Sequence, residues 1–110
     1  MTNITFYLDD KGLCFGFEAK GHAGYGKYGS DIVCSAISVL TLNTVNSFTE
    51  LLHSEVTFKG DDETGDMEFK VTDYDNDSAQ LLFRSLKLGL EGVHESYPKF
   101  MNISNRRCRP

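Results

Sequence analysis

From Asp31 to His53 the chain contains neither glycine nor proline, and apolar residues return at Val33, Ile37, Leu40, Phe48 and Leu51/Leu52, close to a 3.6-residue period. That spacing predicts one long amphipathic helix, with Ser30 or Asp31 able to cap it. On both sides of it the period drops to two. Ile4, Phe6 and Leu8 alternate, as do Leu13, Phe15, Phe17 and Ala19, and Asp9-Asp10-Lys11-Gly12 between them is turn chemistry, so the fold opens with a β-hairpin. Val56 and Phe58 lead into a polar turn, KGDDETG, and Met67, Phe69 and Val71 lead out of it, which makes a second hairpin. Asp77-Ser78-Ala79-Gln80 resembles a capping box; it opens a second helix that carries Leu82, Phe83, Leu86, Leu90 and Val93 and stops before Pro98. A short last strand is expected from Phe100 to Ile103.

The order β-β-α-β-β-α-β implies an α+β fold, a two-layer sandwich of a mostly antiparallel sheet with both helices on one face. At 110 residues and 40% hydrophobic content, the chain suits one domain over residues 1–110 with one core. A net charge of −5 speaks against a nucleic-acid surface. Arg106, Arg107 and Arg109 form a local basic cluster, expected to be a solvated tail from about residue 105. The start, MTNITFYLDD, lacks a basic region followed by an apolar run, and no stretch of about 18 consecutive apolar residues occurs, so the expectation is a cytoplasmic protein with no membrane partner. The three cysteines, Cys14, Cys34 and Cys108, are odd in number and show no C-x-x-C spacing, which disfavours a disulfide framework and a zinc site. Cys14 reads as a buried filler and Cys108 as an exposed tail residue.

Between the first hairpin and the long helix runs GHAGYGKYGSDIVC, residues 21–34. Its GYGKYG fits the G-x-G-x-x-G pattern of dinucleotide loops, and it follows a strand and opens a helix as that fingerprint requires. The rest of the context does not fit. The helix is about twice the usual length for such a unit, Glu50 falls inside it instead of at a strand end, and a hairpin follows where a parallel strand is needed.

A different use follows from the loop's ends. Cys34 falls in the first turn of the helix, where backbone N–H groups and the positive end of the helix dipole favour a thiolate. The N–H groups of Cys34 and Ser35 are candidates to stabilise an oxyanion on a carbonyl attacked by that thiolate. His22 ends the preceding strand and, with the loop folded back, comes within reach as general base and then acid. Ser38, one turn beyond Cys34, shares its face and can orient the thiol or substrate. Gly21, Gly24, Gly26 and Gly29 permit a loop that opens and closes, and Tyr25 and Tyr28 offer amphipathic surface to a peptide. A cysteine near a helix start is more often a small buried residue, so spacing alone leaves this pair open. His53 and His94 lie near helix C-termini and read as structural. The carboxylates of KGDDETGD lack the ligand rhythm of a calcium loop and read as a solvated turn.

G-H-A-G-Y-G at 21–26 followed by G-S-D-I-V-C-S-A-I-S at 29–38 resembles the ribosomal-processing cysteine protease family Prp, and the element order extends that similarity over essentially the whole chain except its Arg-rich end. The resemblance implies a cytoplasmic bacterial cysteine endopeptidase. Its implied substrate is large-subunit ribosomal protein twenty-seven, from which it removes an N-terminal extension, cutting after a pair of aromatic residues and before a small one. By motif, Cys34 is then the nucleophile and His22 the general base, while Asp31 and Ser38 match characteristic positions. The resemblance also implies a homodimer, a glycine loop that orders over bound peptide, and no metal or organic cofactor. Two other classes compete: a non-catalytic ribosome-assembly or peptide-binding module using the same cleft, and a thiol redox enzyme with Cys14 as resolving partner.

Overall fold

A computed structural model describes residues 1–27 and 31–110. Seven elements follow in chain order: β1 (Thr2–Leu8), β2 (Cys14–Lys20), α1 (Ile32–Glu50), β3 (Val56–Gly60), β4 (Met67–Val71), α2 (Asp77–Ser96) and β5 (Met101–Arg107). The strands form one five-stranded sheet in the order β3-β4-β2-β1-β5. All pairings are antiparallel except β1 with β5, which run parallel, as a strand returning through a helix must. Both helices pack on one sheet face, the α+β arrangement expected.

The core lies between that face and the helices. Phe6 and Phe17 sit opposite each other across β1 and β2, and Phe17 opposite Phe69 across β2 and β4. Phe48 of α1 closes over them, its ring centroid 5.4 Å from Phe69 and 4.8 Å from Phe83 of α2. By composition and length α1 would pass for a membrane span, yet its stripe Val33, Ile37, Thr41, Thr44, Val45 and Phe48 is buried in this core.

Three local expectations are corrected. The cap of α2 is Asn76, whose side chain accepts from the Ala79 N–H at 2.8 Å, and Gln80 instead bridges to strand β2 through the Cys14 N–H and C=O. The helix α1 stops at Glu50 with Leu51 as its C-cap, and His53 turns away at φ 51°. Two of the three arginines do not hang free: β5 continues to Arg107, and Arg109 lies exposed beyond it. Arg106 pairs with the nearly buried Glu18 and stacks 5.1 Å from the Tyr7 ring centroid, while Arg107 donates to the Asp10 carbonyl at 3.0 Å. Hydrophobic alternation cannot reveal this stretch, because at the sheet edge its ladder bonds and ion pair replace apolar burial.

Phe48 is fully buried among Phe69 and Phe83. Phe48→Ala is expected to lower unfolding free energy by about 3–5 kcal/mol, read from urea denaturation followed by circular dichroism.

Candidate active site

The end of β2 and the start of α1 meet at one carboxylate. Asp31 is the N-cap of α1 and only 2% exposed. Its Oδ1 accepts from the Val33 N–H at 2.9 Å and the Cys34 N–H at 3.1 Å, satisfying donors that a helix start otherwise leaves open. Its Oδ2 accepts from the Tyr25 N–H at 2.9 Å and the Gly26 N–H at 3.3 Å. Burial alone would raise this carboxyl's pKa, but the hydrogen bonds from Cys34, Gly26, Tyr25 and Val33 outweigh it and hold the group below the usual carboxylate range. One side chain thus caps the helix and folds the glycine loop back over its own start.

The folded loop brings His22 and Cys34 together. His22 Nδ1 accepts from the Gly24 N–H at 3.1 Å and lies 3.7 Å from Asp31 Oδ2. A ligating atom from each of His22, Asp31 and Cys34 lies within 4.8 Å of the others. Cys34 Sγ, half-buried, accepts from the Ala23 N–H at 3.2 Å. Gly24 holds φ +77°, and Gly21 at φ +88° lies so near the Met1 carbonyl that a Cβ would come within 2.5 Å of its oxygen. Neither position accepts a larger residue without strain. The trio is spaced like metal ligands, but the four N–H donors already occupy the lone pairs of Asp31, leaving only imidazole and thiol to a cation.

Cys34 opens onto a cleft of about 440 Å³. Ala19, Ile37, Met67 and Val39 contribute apolar surface to it, and Ser35 and Ser38 lie on its α1 side. Ser38 thus sits where its helical spacing from Cys34 places it. Thr64 and Gly65 also line the cleft, and Asp66 accepts from the Gly21 N–H at 2.9 Å. The hairpin turn read as merely solvated therefore forms one wall. Its polar sequence carries no sign of this, since the wall is made by where the hairpin ends in space.

Two site expectations are corrected. The Cys34 and Ser35 N–H groups are not free for an oxyanion, because the first bonds Asp31 Oδ1 and the second the Asp31 carbonyl at 3.0 Å. The Ser35 hydroxyl likewise donates to the Asp31 carbonyl, at 3.1 Å, so this serine supports the helix start. Tyr25 does not line the cleft; its ring packs against Tyr97 and Phe100. The calls on Tyr28, Gly29 and a Ser30 cap lie outside the described residues. Gly26 serves through its N–H to Asp31.

Comparison with known proteins gives the family. The family profile of cysteine protease Prp matches residues 1–102. The chain belongs to the Prp family. Among Prp proteins, that of Staphylococcus aureus is 30% identical over 104 residues, covering 94% of this chain and 98% of the relative. The Bacillus subtilis Prp is 25% identical over 99 residues, covering 86% and 88%. The crystal structure of Staphylococcus aureus Prp with a covalently linked product peptide superposes with a TM-score of 0.90 at 27% identity, over 96% of this chain and all 100% of that one. A Streptococcus mutans protein of solved structure gives 0.80 at 32% identity over 98% and 96%. The chain is accordingly a ribosomal-processing cysteine protease of the Prp family.

Within this Prp fold the cysteines are distinct. Cys14 lies in the core at the far end of β2, donates to the Gly16 carbonyl at 3.4 Å, and has its pKa pushed up to about 12, chiefly by burial. That placement gives no support to Cys14 as a resolving partner. Alkylation of the native protein by iodoacetamide near neutral pH, mapped by mass spectrometry, is expected to label Cys34 and Cys108 and spare Cys14.

A pH effect follows from Asp31. An unfolded Asp titrates near about 3.9, and the folded one lower, so its stabilisation is fully present above that value and is lost as pH falls through the folded pKa. The melting temperature of the wild type should therefore fall more steeply on acidification below about pH 4 than that of Asp31→Asn, which is less stable at pH 7.

Proposed function

We propose that this chain is a Cys/His endopeptidase that removes the N-terminal extension of large-subunit ribosomal protein twenty-seven during ribosome maturation. The observation that supports this best is the meeting of His22 and Cys34 beside an apolar cleft, within a fold shared with a Prp structure that carries a covalently linked product peptide.

The chemistry runs as acyl transfer. His22 takes the Cys34 proton, and the thiolate attacks the scissile carbonyl to give a tetrahedral oxyanion. The Ala23 N–H, already on the sulfur, is a backbone donor for the charge as it moves from sulfur to oxygen. The imidazolium formed on His22 faces the Asp31 carboxylate, which favours it, and it returns the proton to the departing amine. Water, deprotonated by the same ring, then attacks the thioester and releases the acid.

Aromatic side chains ahead of the cut fit the Ala19, Ile37 and Met67 surface of the cleft. The chain's net charge of −5 suits a basic ribosomal substrate in the cytoplasm. No metal or organic cofactor takes part. The active form is a homodimer: α1 carries no charged side chain before Glu50, and its outward residues Ile32 and Leu42 are exposed.

A peptide copying the ribosomal extension, incubated with the protein and analysed by mass spectrometry, is expected to be cut once between aromatic and small residues. Cys34→Ala and His22→Ala should each abolish the cut while Cys34→Ala still binds. A peptide that binds and stays intact with the wild type would instead make this a peptide-binding module.

A further inference from the structure

Tyr25 belongs neither to the core nor to the cleft. The residue is 45% exposed, yet its ring stands edge-on to two others, with centroids 5.2 Å from Tyr97 at 80° and 5.1 Å from Phe100 at 79°. Both angles are those in which a positive ring edge meets a negative ring face. Tyr97 and Phe100 form the corner between α2 and β5 and are themselves packed on the core, so they are a fixed surface. That corner is tied to the site a second time: the Phe100 carbonyl accepts from the Thr2 N–H at 3.1 Å, and the Thr2 hydroxyl donates to the Gly21 carbonyl at 3.3 Å. Gly21 directly precedes His22.

The backbone of Tyr25 has its own partner, donating to Asp31 Oδ2 at 2.9 Å. The residue therefore grips the site through its N–H and the α2–β5 corner through its ring. Without the ring, Tyr25 keeps its N–H bond to the Asp31 carboxylate but loses its hold on the α2–β5 corner, within a segment whose glycines offer little resistance to opening.

We propose that Tyr25 is a positioning residue that latches the glycine loop onto the Tyr97–Phe100 corner, and so keeps His22 and the Ala23 N–H on Cys34. The latch rests on the proposed Cys34/His22 chemistry for its effect on rate, but not for its existence. It acts through ring faces, so the tyrosine hydroxyl is dispensable, and it acts on placement of the reacting groups, so its loss appears in kcat more than in KM.

The test compares Tyr25→Ala, Tyr25→Phe, Tyr97→Ala and the Tyr25→Ala/Tyr97→Ala double variant by peptide-cleavage kinetics and by hydrogen–deuterium exchange over residues 23–27. Each single alanine variant is expected to lower kcat about three- to tenfold, the scale of an edge-on aromatic pair, with a melting temperature close to wild type in Tyr25→Ala and a lower one in Tyr97→Ala, whose ring also packs on the core. Tyr25→Phe should match wild type, and the double variant should be no slower than Tyr25→Ala, because Tyr25→Ala already removes the ring contacts to both Tyr97 and Phe100. Exchange over residues 23–27 should quicken in every alanine variant. Independent, multiplying effects of the two substitutions, or an unchanged Tyr25→Ala, would overturn the latch. Should the wild type leave the peptide uncut, the substrate assignment fails by itself, and the exchange data decide the latch: rates unaltered in Tyr25→Ala would overturn it, and faster rates would support it.

Discussion

A single buried carboxylate holds this site in shape. Removing Asp31 from water is costly, and the cost is offset only because four backbone N–H groups converge on it, two from the helix start and two from the loop. The approach of the loop to Cys34 goes with that convergence. The loop must turn back for Tyr25 and Gly26 to reach Oδ2, and turning back is what carries His22 and Ala23 to Cys34. The same carboxylate also faces the imidazole, its Oδ2 lying 3.7 Å from His22 Nδ1.

Around this point the fold supplies rigid edges. Strand β2 ends at Lys20, with both neighbours β1 and β4 in place, so His22 follows directly from the centre of the sheet. Helix α1 is pinned by Phe48 at one end of its buried stripe and by Asp31 at the other. The β3–β4 hairpin adds a wall through Thr64, Gly65 and Met67, and Asp66 fastens it to Gly21. Three chain segments far apart in sequence thus converge on the cleft and are tied to one another there.

Much of this is legible in the residues themselves. Strands and helices write their period plainly because each buries one stripe, and the hairpins and helices all lie where alternation and 3.6-spacing place them. His22 and Cys34 are legible as the two ends of a glycine-rich loop between strand and helix. Other features are tertiary and leave no local trace. The true length of β5 depends on Arg106 finding Glu18, a partner 88 positions away. The fate of the Cys34 and Ser35 N–H groups depends on which residue caps the helix, and a stretch offering both Ser30 and Asp31 does not say. Tyr25 looks like any loop tyrosine until Tyr97 and Phe100 arrive beside it.

The central claim, that Asp31 binds helix start and loop at once, is open to direct measurement by nuclear magnetic resonance. The Asp31 carboxyl carbon and the amide signals of Tyr25, Gly26, Val33 and Cys34 would be followed as the pH is lowered. The account predicts one shared titration step, below the ordinary value of about 3.9 for aspartate, felt by all four amides. A carboxyl titrating at or above that value, or a step felt by Val33 and Cys34 while Tyr25 and Gly26 stay still, would contradict it.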